Sequence, residues 1–252
     1  MKTILMVLLA KSYKPGGRCI AGREVKYVAP KKVTFGKWIR PVADNSEGTG
    51  ALTPEIYTYE DGTEAKVLDI VEVPVIDKAS VAGQPENYIV DQTKKWKKVC
   101  SLEPSSIPKI EEKMESIWLD QDTDSNKATA SYDEKGLISQ SLCLIKPSEF
   151  RITLSKVFDD YEGSYKKKIV ASFDYLGIKY SDISITCPAV RKVLTNKYPK
   201  DGENPVTISL TKGDDYILCM SLSPRFGRDN FHYKLVATTF DFDGYLQSHY
   251  SS

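Results

Sequence analysis

Histidine is scarce in this 252-residue chain, with only two. Neither His232 nor His249 lies beside a recognisable nucleophile motif. No Gly-x-Ser-x-Gly elbow, phosphate-binding loop, His-Glu-x-x-His pair or dinucleotide-binding glycine fingerprint occurs either. The sequence therefore predicts no catalytic site and no bound cofactor. The acidic residues Asp159 and Asp160, with Asp241 and Asp243, are of a type that holds divalent metals, and they read equally as exposed turns; no metal site is assigned. No apolar run approaches the about 18 residues needed to span a membrane, so a membrane partner is not expected. The longest such run, Thr3–Ala10, is short for a leader. It passes directly into Lys11, Tyr13 and a Gly-Gly turn, as a buried first strand would. The five cysteines are odd in number and scattered, without a Cys-x-x-Cys or Cys/His pairing. That argues against a disulfide framework or zinc site of ordinary spacing and predicts free thiols in a reducing compartment, hence a cytoplasmic protein.

A net charge of only +1 argues against nucleic acid on average, yet the charge is unevenly spread. Residues 1–40 hold ten Lys/Arg and the single acid Glu24, a local charge of +9, whereas 41–100 and 101–140 each carry −5. A basic amino-terminal arm is thus the strongest electrostatic feature. Hydrophobic residues at 41% and charged residues at 27% are ordinary globular values, which excludes a disordered or coiled-coil chain.

Short β-type runs separated by turn residues dominate. Ile4–Leu9, the turn Pro15-Gly16-Gly17 and Arg18–Val28 predict strand, turn, strand. Val33–Val42 predicts a further strand, ending or lying on an edge at Pro41. Ile56–Tyr59 and Lys66–Val75 around Asp61-Gly62 predict a hairpin, and Lys94–Cys100 another strand. The apolar spacing of Ile107, Ile110, Met114, Ile117 and Trp118 predicts a helix over 107–119, with Pro108 in its first turn. Asp120–Lys135 is polar and reads as a linker. In the second half Leu142–Ile145, Phe150–Leu154, Lys168–Phe173 and Ile178–Ile185 predict strands. A helix opening at Pro188 follows, and then strands at Val206–Leu210, Tyr216–Leu222 and Phe231–Phe240. Three strands, a helix and closing strands is the element order of an OB barrel. The predicted fold is mainly β, two consecutive OB-like barrels over 1–104 and 136–252 joined by a helix and linker at 105–135.

The segments Gly17-Arg-Cys-Ile-Ala-Gly22, Lys37-Trp-Ile-Arg-Pro-Val42, Leu68-Asp-Ile-Val71, Gln84-Pro-Glu-Asn87, Leu142-Cys-Leu-Ile145 and Tyr233-Lys-Leu-Val-Ala237 together resemble bacterial dual OB domain-containing proteins, in order along nearly the whole chain. The resemblance implies two consecutive OB folds, a nucleic-acid- or nucleotide-binding role in bacterial defence or conflict systems, and no catalytic site.

OB barrels that bind single strands combine a basic groove with aromatic faces on which bases stack. Arg18, Arg23, Lys31, Lys32, Lys37 and Arg40 supply candidate charges, and Tyr13, Tyr27, Phe35 and Trp38 candidate faces. Trp38 reads first as core, and the lysines read equally as a solvated face. Arg18 and Arg40 rank above the lysines because a guanidinium grips phosphate bidentately and stacks. Gln84, Glu86 and Asn87 could read a base edge or ribose, or cap a loop. Lys166–Lys168 could track phosphate or guard a strand edge. Arg225, Phe226 and Arg228 lie in a turn between the last two strands, where OB barrels place ligand contacts. The expected partner is single-stranded nucleic acid, alternatively a small nucleotide or a partner protein.

Overall fold

The computed structural model describes residues 2–29, 32–44, 50–79, 81, 83–118, 125–209, 216–225 and 230–250. Its first sheet is built from β1 (Lys2–Lys14), β2 (Gly17–Ala29), β3 (Lys32–Val42), β4 (Asp69–Lys78) and β5 (Asn87–Val90) in the order β1-β2-β3-β5-β4. Pairing of β1 with β4 closes the ring, and β6 (Lys97–Ser101) extends it from β4. This closed five-stranded barrel is the predicted OB architecture. A short helix α1 (Pro54–Tyr57) bridges the third and fourth strands.

The long first strand makes closure possible. Lys2–Val7 pair with β4, and Met6–Lys14 pair with β2 across an irregularity at Leu8/Ala10. Strand β2 crosses β1 so closely that a Cβ on Gly22 would lie 1.7 Å from the Val7 carbonyl oxygen. Only glycine fits there. The unbroken apolar run Thr3–Ala10 has its own cause, since successive side chains point to opposite faces and both faces are covered. Ile4, Met6 and Leu8 fill the first barrel, while Val7 and Leu9 pack with residues of the second half.

After β6 the chain enters a 3-10 turn (Pro104–Ile110) and an irregular stretch, followed by β7 (Lys127–Thr129) and α2 (Ala130–Glu134). The helix expected over 107–119 does not form. Pro108 sits inside the 3-10 turn and removes a donor. The backbone beyond it is satisfied by the second barrel, with the Glu112 amide donating to the Leu144 carbonyl (2.7 Å), Met114 to the Tyr175 hydroxyl (2.9 Å) and Ile117 to the Tyr180 hydroxyl (3.0 Å). The apolar spacing was core spacing without being helical. The region 105–135 thus carries a strand and a helix, and of the predicted polar linker residues 120–124 lie outside the described ones. The hairpin expected around Asp61-Gly62 is also only a turn, since Ile56 and Tyr57 are in α1 and one isolated bridge, Thr58 with Glu64, joins its arms. Strand β3 ends at Val42, one residue past Pro41 as expected, but Pro41 does not lie on a sheet edge. It pairs in parallel with Tyr88 of β5, in the barrel interior.

The second sheet runs β12-β9-β10-β11-β14-β13-β8, with β8 (Leu142–Ile145), β9 (Ser148–Asp159), β10 (Ser164–Tyr175), β11 (Ile178–Ile185), β12 (Val206–Ile208), β13 (Tyr216–Leu222) and β14 (Phe231–Asp241). Strand β7 pairs with β14. Strands β8 and β9 are separated only by Lys146 and Pro147, and together take the place of β1: β8 pairs with β13 and β9 with β10. Counted as one strand broken at the proline, they repeat the order of the first barrel, including its single parallel pair, here β11 with β14. A helix, α3 (Pro188–Val193), again follows the third strand, and α4 (Tyr245–Ser248) follows the last.

The barrels share one apolar core in which Val7, Leu9, Trp38 and Leu68 meet Leu142, Leu144, Ile183 and Met220. Three thiols, Cys143, Cys187 and Cys219, lie in it, and burial pushes each of them up in pKa. Cys19 is half-buried and Cys100 exposed. A native thiol titration with a disulfide reagent at pH 8 is therefore expected to report these two quickly, and all five only after unfolding. Fast reaction of a third thiol would show that the shared core opens.

Candidate functional site

The residues singled out in the sequence separate into three places. Arg40, Gln84 and Asn87, proposed as ligand contacts, are instead sealed between the barrels. Arg40, 1% exposed, pairs through Nη2 with Glu86 Oε1 (3.1 Å) and donates to Ser141 Oγ (2.9 Å) and Ser221 Oγ (3.3 Å) of the second barrel. Glu86 accepts in turn from the Ser141 amide and hydroxyl. Gln84 donates to the Leu222 carbonyl (3.1 Å) and accepts from Asn87 (3.2 Å). These contacts hold the barrels together and bury the cluster away from any ligand, although Arg40 Nε and Nη1 and Asn87 Oδ1 have no hydrogen-bond partner among the described residues.

Arg23, Lys37 and Trp38 border a small recess of about 270 Å³ over β2 and β3. Trp38, at 4% exposure, is core and offers no stacking face. Its indole N–H donates to Glu112 Oε2 (3.0 Å), and Glu112 Oε1 faces Arg23 Nη1 (3.4 Å). Arg23 Nε also donates to the Gly36 carbonyl (2.5 Å). The segment after β6 has thus laid a carboxylate over the face that the sequence assigned to phosphates. Lys37 donates to the Tyr88 hydroxyl (2.5 Å) at the recess rim. Arg225 pairs with Glu134 (3.2 Å). Lys31, Phe226 and Arg228 lie outside the described residues, as does the side chain of Lys32.

Arg18 lies elsewhere, in a cleft of about 550 Å³ between the barrels. The first barrel contributes Lys11, Tyr13, Arg18, Tyr57 and Glu64, the second Lys167, Arg191, Lys192, Tyr198 and Tyr250. Five cations thus face one carboxylate. Register places Tyr13 directly opposite Arg18 in the β1–β2 hairpin, with the guanidinium 4.0 Å from the ring centroid. Arg191, at the end of α3, approaches the same ring at 5.6 Å. The Arg191 Nε donates to the Ile185 carbonyl (2.8 Å), and the Tyr13 amide donates to Thr186 across the barrel boundary (3.0 Å). Both bonds fix the arginine relative to the ring. Lys11 is already committed, to Glu64 (2.6 Å) and the Ala65 carbonyl (3.0 Å), and burial pulls its pKa down against the pull of Glu64. Arg18, Arg191 and Lys167 have no carboxylate partner among the described residues, Lys167 lying 5.0 Å from the Tyr198 ring. Burial raises the Tyr57 and Tyr198 pKa values, which keeps both phenols protonated as donors.

The sequence profile of the dual OB-containing domain family matches residues 4–239. The chain belongs to the dual OB-containing domain family. No curated protein and no solved structure gives a match. Membership accounts for the repeated strand order, and in this dual OB protein the cleft is formed only where the two barrels meet.

Sequence reasoning found Arg18, Tyr13 and the Lys166–Lys168 run and missed Arg191, Tyr57 and Tyr198. Arg191 and Lys192 read as ordinary cations at a helix C-terminus. Nothing in their spacing announces that α3 sets them against Tyr13.

Proposed function

We propose that this protein binds single-stranded nucleic acid in the inter-barrel cleft, without catalysis. The observation that carries the reading is the Tyr13 ring flanked by Arg18 and Arg191 from opposite barrels, neither guanidinium neutralised by a carboxylate among the described residues. A guanidinium grips a phosphate with two donors, and tyrosine faces accept any base by stacking, so the arrangement suits a strand with little sequence preference. Lys167 continues the basic wall toward β10. Five unpaired thiols support a reducing, cytoplasmic setting. A role in bacterial defence rests on the family resemblance alone. The cleft volume also lies within the roughly 300–1,000 Å³ range of small-ligand pockets, which favours a free nucleotide as the second reading.

Fluorescence polarisation with labelled single-stranded DNA and RNA, across a salt series, tests both. Strand binding is expected to weaken linearly in log–log form, with a slope of about −0.7 per phosphate contact. A flat salt response rejects the strand reading. Competition by mononucleotide at equal affinity assigns the cleft to the free nucleotide instead.

A further inference from the structure

The β1–β2 hairpin has a second side. Facing residues of an antiparallel pair share one face and successive residues alternate, so with Tyr13 opposite Arg18 and Ser12 opposite Cys19 the hairpin is a partition. Lys11, Tyr13 and Arg18 border the basic cleft, whereas Ser12, Lys14 and Cys19 border another cavity of about 630 Å³, which Tyr13 also lines. Its far wall is second-barrel surface, including Ser184, Leu222 and Leu235.

This cavity differs in chemistry from the cleft. Its exposed surface is chiefly apolar, with neutral hydroxyls, the Gln84 amide and Arg225, the last already paired with Glu134. Ser12 is 5% exposed and Ser184 is exposed, and neither hydroxyl has a hydrogen-bond partner among the described residues, so both are open to a ligand. Lys14 likewise has no carboxylate partner among them. Burial and the neighbouring Arg40 charge pull its pKa down, with the Cys19 thiol opposing them. A half-buried ammonium without a counter-charge is costly, and nothing in the shared core requires one at this position. An anion entering the cavity would remove that cost while its body replaced water on the apolar wall.

We propose that this cavity is a binding site for a small monoanion with an aromatic or apolar body, its charge on Lys14 and its body against Leu222 and Leu235. The Ser12 and Ser184 hydroxyls supply the orienting hydrogen bonds. The proposal stands independently of what the basic cleft binds, because the two sites use opposite faces of the hairpin.

The test uses the full chain and the fluorescent aromatic monoanion 1-anilinonaphthalene-8-sulfonate. Saturable binding of one dye per chain is expected. Lys14→Met should weaken it by about tenfold, the loss of one charge-assisted contact. Ser184→Phe, which fills the cavity, should abolish it, and Arg18→Ala should leave it unchanged. Near-UV circular dichroism establishes that each variant is folded. As a second readout that needs no change at Lys14, alkylation of Cys19 by iodoacetamide in a Cys100→Ser background should slow at saturating dye. Loss of dye binding in Arg18→Ala with none in Lys14→Met would place the anion in the basic cleft and overturn the proposal. So would the absence of saturable binding, or a Cys19 that alkylates equally fast with dye present.

Discussion

Replacing Arg40 with alanine is expected to destabilise the protein by about 3–5 kcal/mol, the cost of leaving the partner of a buried ion pair uncompensated. The partner is Glu86, 6% exposed, whose carboxylate would keep only the Ser141 donors. The guanidinium also donates to Ser141 beside β8 and to Ser221 in β13, so its removal cuts bonds between the barrels. Urea denaturation should show the loss as a lower midpoint. The double variant Arg40→Met with Glu86→Leu should recover most of it, because exchanging both charges for apolar groups of similar volume removes the desolvation cost as well as the attraction. A single variant within 1 kcal/mol of the parent, on the order of a surface substitution, would show that the pair is dispensable.

That network also explains which parts of the molecule could be read from the sequence. Local chemistry was sufficient for most of the strands, though not for β5 (Asn87–Val90) or β7 (Lys127–Thr129). Pro15-Gly16-Gly17 and Leu176-Gly177 are turns because their glycines take positive φ, 82° at Gly16 and 79° at Gly177. The strand before Leu176-Gly177 alternates as a half-buried sheet requires, whereas the apolar run of β1 is unbroken because both of its faces are covered. Local chemistry was insufficient wherever the second barrel supplies the environment. A polar Gln-Pro-Glu-Asn segment after a glycine looks like a ligand loop until Leu222 and Ser141, more than 50 residues away, prove to be its partners. The 107–119 segment looks helical because its apolar positions are all needed by the core. Its amides are satisfied by tyrosine hydroxyls 61 and 63 residues further on. Half the cleft was legible for the same reason. Tyr13 and Arg18 are neighbours across a hairpin, a relation that sequence spacing encodes. Arg191 reaches them only through the packing of one barrel on the other.

The double variant Arg18→Ala/Arg191→Ala is expected to weaken single-strand binding on the order of a hundredfold at moderate salt. Each guanidinium would contribute a charge-assisted contact of about 1.5 kcal/mol, roughly tenfold in affinity. The two reach Tyr13 from separate barrels, at 4.0 Å and 5.6 Å. Neither has a carboxylate to release on binding among the described residues, so the loss is not offset by a broken ion pair. The salt slope should also flatten by about 1.4, two contacts at roughly 0.7 each. An affinity loss without that flattening would mean that the arginines act by positioning Tyr13 and not by meeting phosphate. Arg23→Ala/Lys37→Ala is the matched control. It removes the same number of charges, both from the first barrel, at the recess whose Arg23 is already held by Glu112 and the Gly36 carbonyl. A pure net-charge effect would weaken both variants equally. A binding cleft at the barrel boundary predicts that only the first loses affinity, and polarisation titrations of the two at one salt concentration distinguish these outcomes directly.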